Sequence, residues 1–249
     1  VDGGWGRCYH SFDWRLEATE GAVAALAEQG RLPAIPVTLL DQVNSPSLLL
    51  ERLRSLVNVD ILTSGVDTVV AANQVNSNLC RMIYRQQPSN YPWHADLFRT
   101  LANYTLREWR NQTSGYWGPT YALADGRRLQ VPDLSTTFHI TKYYADFGID
   151  VALWNELAQT TVNLVLVPFP WGQYTREGLP FNHNLYDTAQ LFMQAWPAAS
   201  PTVRAAMSAQ SKRFLNFSLT MVEASGDGSF PKTHYDESAQ TAMYFGVGT

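Results

Sequence analysis

The chain has 249 residues, 45% hydrophobic and 16% charged, with a formal net charge of −4. That length holds one large domain or two small ones, each able to bury a substantial core. The acidic balance argues against nucleic acid as a partner, because binding it needs a basic footprint, and no apolar run reaches the roughly 18 residues of a membrane span.

Eight Trp, 12 Tyr and 11 Phe make the chain rich in rings; those outside the core offer flat faces that suit sugars. Arg outnumbers Lys fifteen to three, and a polyanionic substrate would require those Arg to be concentrated locally. Cys8 and Cys80 are too few for a disulfide scaffold or a zinc site of the usual spacing, which leaves one disulfide or two buried thiols. The chain begins at Val1 with neither initiator Met nor signal peptide, as expected of a processed or trimmed start. Sequons at Asn103, Asn111 and Asn216 permit glycosylation, and a secreted or periplasmic location is expected with them.

In chain order, Asp2-Gly-Gly-Trp5-Gly6 opens the sequence and a helical pattern follows from Glu17 to Gln29. Ser45-Pro46 reads as an N-cap with Pro at the first helical position, heading a helix to Val57. A longer helix is expected over Val66 to Arg85, stopped by Pro88 and Pro92, and another over Trp93 to Arg110. Asp125-Gly126 is a turn between two small strands. Asp133 opens a helix to about Phe147, Gly148 breaks it, and Val151 to Val167 reads as an apolar helix. Ser200-Pro201 starts a long helix to Glu223, and a last helix runs from Asp236.

Trp5-Gly, Trp117-Gly, Trp171-Gly and Gly228-Ser-Phe230 each fall in a turn between helices. Trp117 and Trp171 are 54 residues apart, and Trp171 and Phe230 are 59 apart, a period suited to one helical hairpin. The expected class is all-α, either an α/α toroid, in which inner helices ring a central cleft, or a plainer helical array. Roughly ten helical segments are fewer than a closed ring of six hairpins needs, so either the ring is incomplete or residues 1–249 are part of a longer chain; a single domain is expected.

The densest polar stretch is Phe181-Asn182-His183-Asn184-Leu185-Tyr186-Asp187, at the head of an apolar run. Helical spacing sets His183 and Asp187 on one face with Tyr186 beside them. Either this head meets a polar ligand or an Asn simply caps the helix. Asp133 with His139, and His234-Tyr235-Asp236-Glu237, stand at comparable helix heads. If those heads converge, they bring imidazole, amide, phenol and carboxylate to one cleft.

Asn182-His183-Asn184-Leu185-Tyr186 resembles the Asn-His motif of α/α toroid polysaccharide lyases of the alginate lyase type. Asp227-Gly-Ser-Phe230-Pro231 is similar to their Asp-Gly-x-x-Pro segment, and the resemblance runs from Asn182 to Tyr244. It implies β-elimination on a uronic-acid polymer. Asn182 would stabilise the enolate-like charge, His183 would act as neutraliser or base, and a Tyr would protonate the leaving oxygen. Tyr244 matches the family's Tyr best by distance from Asp227-Gly; Tyr235 and Tyr186 are the other candidates. Phe181 stands where the family often has a second Asn, and Lys232 is the one cation near the Tyr, where the family has Arg. The scheme requires no cofactor or metal. Its partner is a polysaccharide or oligosaccharide, with Trp117, Trp171 and Tyr116 as subsite walls and His139, His234 and Asp187 as further substrate-binding candidates. It leaves the oligomeric state open.

Three other readings stand beside it. An inverting glycoside hydrolase needs two carboxylates about 6.5–9.5 Å apart, available among Asp133, Asp187, Asp236 and Glu237, although acidic residues suit a first helical turn in any case. A terpenoid cyclase-like toroid shares the Gly-aromatic turns but lacks an Asp-rich motif. A non-catalytic carbohydrate-binding or scaffold protein would use exposed Trp as stacking platforms.

Overall fold

In the computed structural model of the chain, which describes residues 2–6, 8–64, 68–164, 167 and 184–225 (side chains of 184, 218 and 221–225 excepted), helix predominates. Helix α1 (Phe12–Glu28) starts earlier than its apolar pattern indicates, because Ser11 caps it by accepting from the Trp14 N–H. A short 3-10 helix (Thr38–Gln42) buries Leu39 and Leu40 completely. Ser45 and Pro46 take the expected cap and first-turn positions of α2 (Pro46–Val57), with Ser45 Oγ accepting from Leu48 N at 3.2 Å. The α2 stripe Leu49, Leu53, Leu56 and Val57 is buried, each side chain contributing about 1.5–3 kcal/mol of transfer free energy.

Helix α3 (Val69–Tyr84) packs on α1, and α4 (Leu97–Glu108) packs on α2. The expected turn at Gly126 (φ +84°) joins strands β1 (Thr120–Ala122) and β2 (Arg128–Gln130), antiparallel with Tyr121 opposite Leu129. Tyr121 is fully buried against Val57 and Val69, with its hydroxyl 2.9 Å from that of Thr68. Helix α5 (Leu134–Asp146) follows, then α6 (Trp154–Asn163), α7 (Asn184–Ala195) and α8 (Pro201–Ser225). The described residues are thus all-α apart from one small hairpin.

The contacts divide the chain into two units. The first comprises Val1–Arg110, Trp117–Val131 and Lys142–Asp150; the second comprises Asn111–Tyr116, Pro132–Thr141 and Val151–Thr249. In the second unit α6, α7 and α8 pack on one another. Their core is Leu185, Phe192, Ala195, Val203, Met207 and Phe214 among others, and the Phe192 and Phe214 rings are nearly parallel with centroids 6.4 Å apart.

Helix α6 begins three residues later than its apolar run. Ala152 (φ +50°) and Leu153 (φ +53°) are left-handed, a conformation hydrophobicity cannot reveal and one that costs an L-residue roughly 1–2 kcal/mol. Gly115, itself at φ +74°, lies against that helix start: a Cβ there would stand 3.0 Å from Leu153 O, Leu157 N and Leu157 Cβ. Gly115→Ala therefore combines backbone strain with a clash, and we expect thermal denaturation to show a loss of about 1–3 kcal/mol.

In the first unit the α1–α3 packing is unusually polar. Glu20 on α1 is 4% exposed and meets Arg81 on α3 through Nε (2.8 Å) and Nη1 (3.0 Å). Asp13, also buried, pairs with Arg52 of α2. Asn76 on α3 is fully buried, yet neither atom of its amide has a hydrogen-bond partner among the described residues. An unpartnered amide costs about 1–3 kcal/mol, and Ala is the better helix former. Asn76→Ala is expected to stabilise the protein by about 1 kcal/mol in denaturant titrations, offset partly by the small cavity it leaves. Cys8 and Cys80 form no disulfide: Cys8 is exposed and Cys80 is buried, where burial pushes its thiol far above the usual range. The two thiols thus differ from both alternatives read from the sequence.

Candidate functional site

Helix α7 begins at Asn184, directly after Asn182-His183. Leu185, Phe192 and Ala195 face the core of the second unit and Leu191 is also buried, and Asp187 in the first turn suits the positive end of the helix dipole. Asp187 is 7% exposed and Tyr186 is half-buried. Tyr186 meets the Phe138 ring edge-on, with centroids 5.8 Å apart and planes at 86°. The half-buried His139 ring lies 5.1 Å from the same Phe138 ring. Tyr186 thus joins α7 to α5 at Phe138, whereas His139 touches that ring as its chain neighbour and lies in the middle of α5, not at its head.

The α5 head is held by Asp133. Its Oδ1 accepts from Thr136 N and its Oδ2 from Thr136 Oγ1, both at 2.7 Å, at 3% exposure. Both carboxylate oxygens are therefore engaged in capping.

Tyr116 and Trp117 do not stand as sugar platforms. Tyr116 is 1% exposed and donates its hydroxyl to Thr161 Oγ1 at 3.0 Å; burial pushes its phenol far above the ordinary range, and the nearby Asp133 charge adds to that. Trp117 has no exposed surface. The Arg110 guanidinium lies 5.9 Å from its ring centroid. Rings that the sequence marks as flat contact surfaces are here core, as is common for turn-to-helix aromatics. Asn182, His183, Trp171, His234, Tyr235 and Tyr244 lie outside the described residues, as do Asp236 and Glu237.

The sequence reading missed a concave surface in the first unit. A cavity of about 560 Å³ is lined by Arg54 of α2, Tyr104 and Arg107 of α4 and Arg128 of β2, with Asn58 and Asn103 between them. A second cavity, lined by Ser47 and Glu51 of α2, shares Leu50, Arg54 and Asn58 with it. The available signal was Asn103 with Arg107, spaced i, i+4 on one face of α4, and Arg54 one turn before Asn58, the residue that ends α2. Among the described residues, no group of three His, Cys, Asp or Glu side chains is arranged to hold a metal, and no helix is long and apolar enough to cross a membrane. No family model, curated protein or solved structure matches the chain.

Proposed function

We propose that this protein cleaves a uronic-acid polysaccharide by β-elimination, on helical hairpins arranged as an α/α toroid. Asn182 donates its amide to the sugar carboxylate, favouring the enolate-like charge that develops as the C5 proton leaves. His183 takes that proton as base, or helps Asn182 neutralise the carboxylate while the Tyr takes the proton. The C4–O bond then breaks, a C4–C5 double bond forms, and a Tyr (Tyr244, Tyr235 or Tyr186) protonates the departing oxygen. The scheme draws every group from the chain itself, with His139 and Asp187 as substrate-binding residues.

The observation that supports this reading is the edge-on contact of Tyr186, in the first turn of α7, with Phe138 of α5, on the helix whose start follows Asn182-His183 in the chain. The engagement of Asp133 in capping weighs against the paired-carboxylate hydrolase, and burial of Trp117 weighs against a binding module built on that ring. Ultraviolet absorbance of the conjugated uronate product, followed on uronic-acid polymers with the parent protein and with Asn182→Ala, tests the proposal.

A further inference from the structure

The arginine-lined groove of the first unit has the chemistry of a binding site. Arg54 and Arg107 are exposed, and among the described residues neither is ion-paired. Arg128 is held by Glu108 at 2.7 Å, which orients one guanidinium at the groove wall. The Tyr104 hydroxyl lies within electrostatic reach of Glu108, Arg54 and Arg128, so α2, α4 and the hairpin direct their charges to one place. On a chain of net charge −4, this is a local concentration of cations.

We infer that this groove binds an acidic oligosaccharide, with the guanidinium forks of Arg54 and Arg107 taking its carboxylates and Asn58, Asn103 and Thr100 taking its hydroxyls. Planar guanidinium matches carboxylate in a bidentate way. Amide and hydroxyl side chains between the cations suit a ligand whose charges are separated by neutral polar groups. Leu50 and Ala122 supply the apolar lining that sugar C–H faces need. The second cavity extends the groove along α2 toward Ser47, as an elongated ligand requires. The carboxylates of Glu51 and Glu108 oppose a denser polyphosphate, and so favour a ligand with one charge per sugar.

This inference rests on the groove and not on the elimination reading, since binding is measured without turnover. Isothermal titration of the full chain with an oligogalacturonate, a neutral cello-oligosaccharide and inorganic polyphosphate tests it. The oligogalacturonate is expected to bind at least about tenfold more tightly than either other probe, and Arg54→Gln and Arg107→Gln each to weaken it by about tenfold, the equivalent of one charge-assisted hydrogen bond. Added salt should weaken it further. Both side chains are exposed, so unchanged circular dichroism should accompany the loss. Absence of binding to the parent protein, equal binding by both variants, or tighter binding of polyphosphate would each overturn the assignment, whether or not the protein eliminates.

Discussion

Replacing Arg81 by Met should destabilise the protein by about 3 kcal/mol at neutral pH, the lower end of the range for removing one partner of a buried ion pair. The lower end applies because Arg81 is itself 37% exposed and partly screened by water, whereas Glu20 is 4% exposed. Burial already raises the Glu20 carboxyl above 4.5, with Arg81 and then Arg85 pulling it down and Glu17 adding to the rise. Folded Glu20 therefore holds its proton to higher pH than unfolded Glu20. Its contribution to stability falls as pH rises from about 4.5 through the folded value. Without Arg81 that folded value climbs further and the loss widens. The deficit of Arg81→Met should be largest near neutrality and shrink as pH falls toward 4.5. Urea titrations across that range check this, and a deficit independent of pH would mean that Arg81 acts by packing alone.

Asn182→Ala should lower kcat for elimination by about 10²–10³ with little change in KM, as for loss of one preorganised donor to a developing oxyanion. The carboxylate is bound in the ground state by other groups as well, but the enolate-like charge appears only on the way to the transition state. A stacking or scaffold protein would instead keep its affinity after this change and show no turnover to lose. Tyr244→Phe, Tyr235→Phe and Tyr186→Phe remove one phenolic proton each while keeping the ring. The one that matches Asn182→Ala in depth of loss is the acid that serves the leaving oxygen.

Local chemistry made several elements legible in the sequence. Ser45-Pro46 and Asp125-Gly126 act within a few residues of themselves, so the cap of α2 and the β1–β2 turn follow from residue type alone. The late start of α6 does not, because left-handed Ala152 and Leu153 read as ordinary apolar helix formers. Ring exposure was equally hidden: Trp117 and Tyr116 look like sugar platforms by type, and only the packing around them shows that they are core. By type Asp133 is one of four candidate carboxylates at the start of a helix, and its two bonds to Thr136 show it capping α5. Arg54, Arg107 and Arg128 sit on three separate elements, so their shared groove exists only once α2, α4 and the hairpin are assembled.

The most direct measurement is ultraviolet absorbance during incubation of the folded protein with a panel of uronic-acid polymers, alongside a count of new reducing ends. β-Elimination predicts that absorbance rises in step with the new ends, because each cleavage leaves one conjugated double bond, and that both signals collapse in Asn182→Ala. New reducing ends without any rise in absorbance would contradict the account and assign the cleavage to hydrolysis.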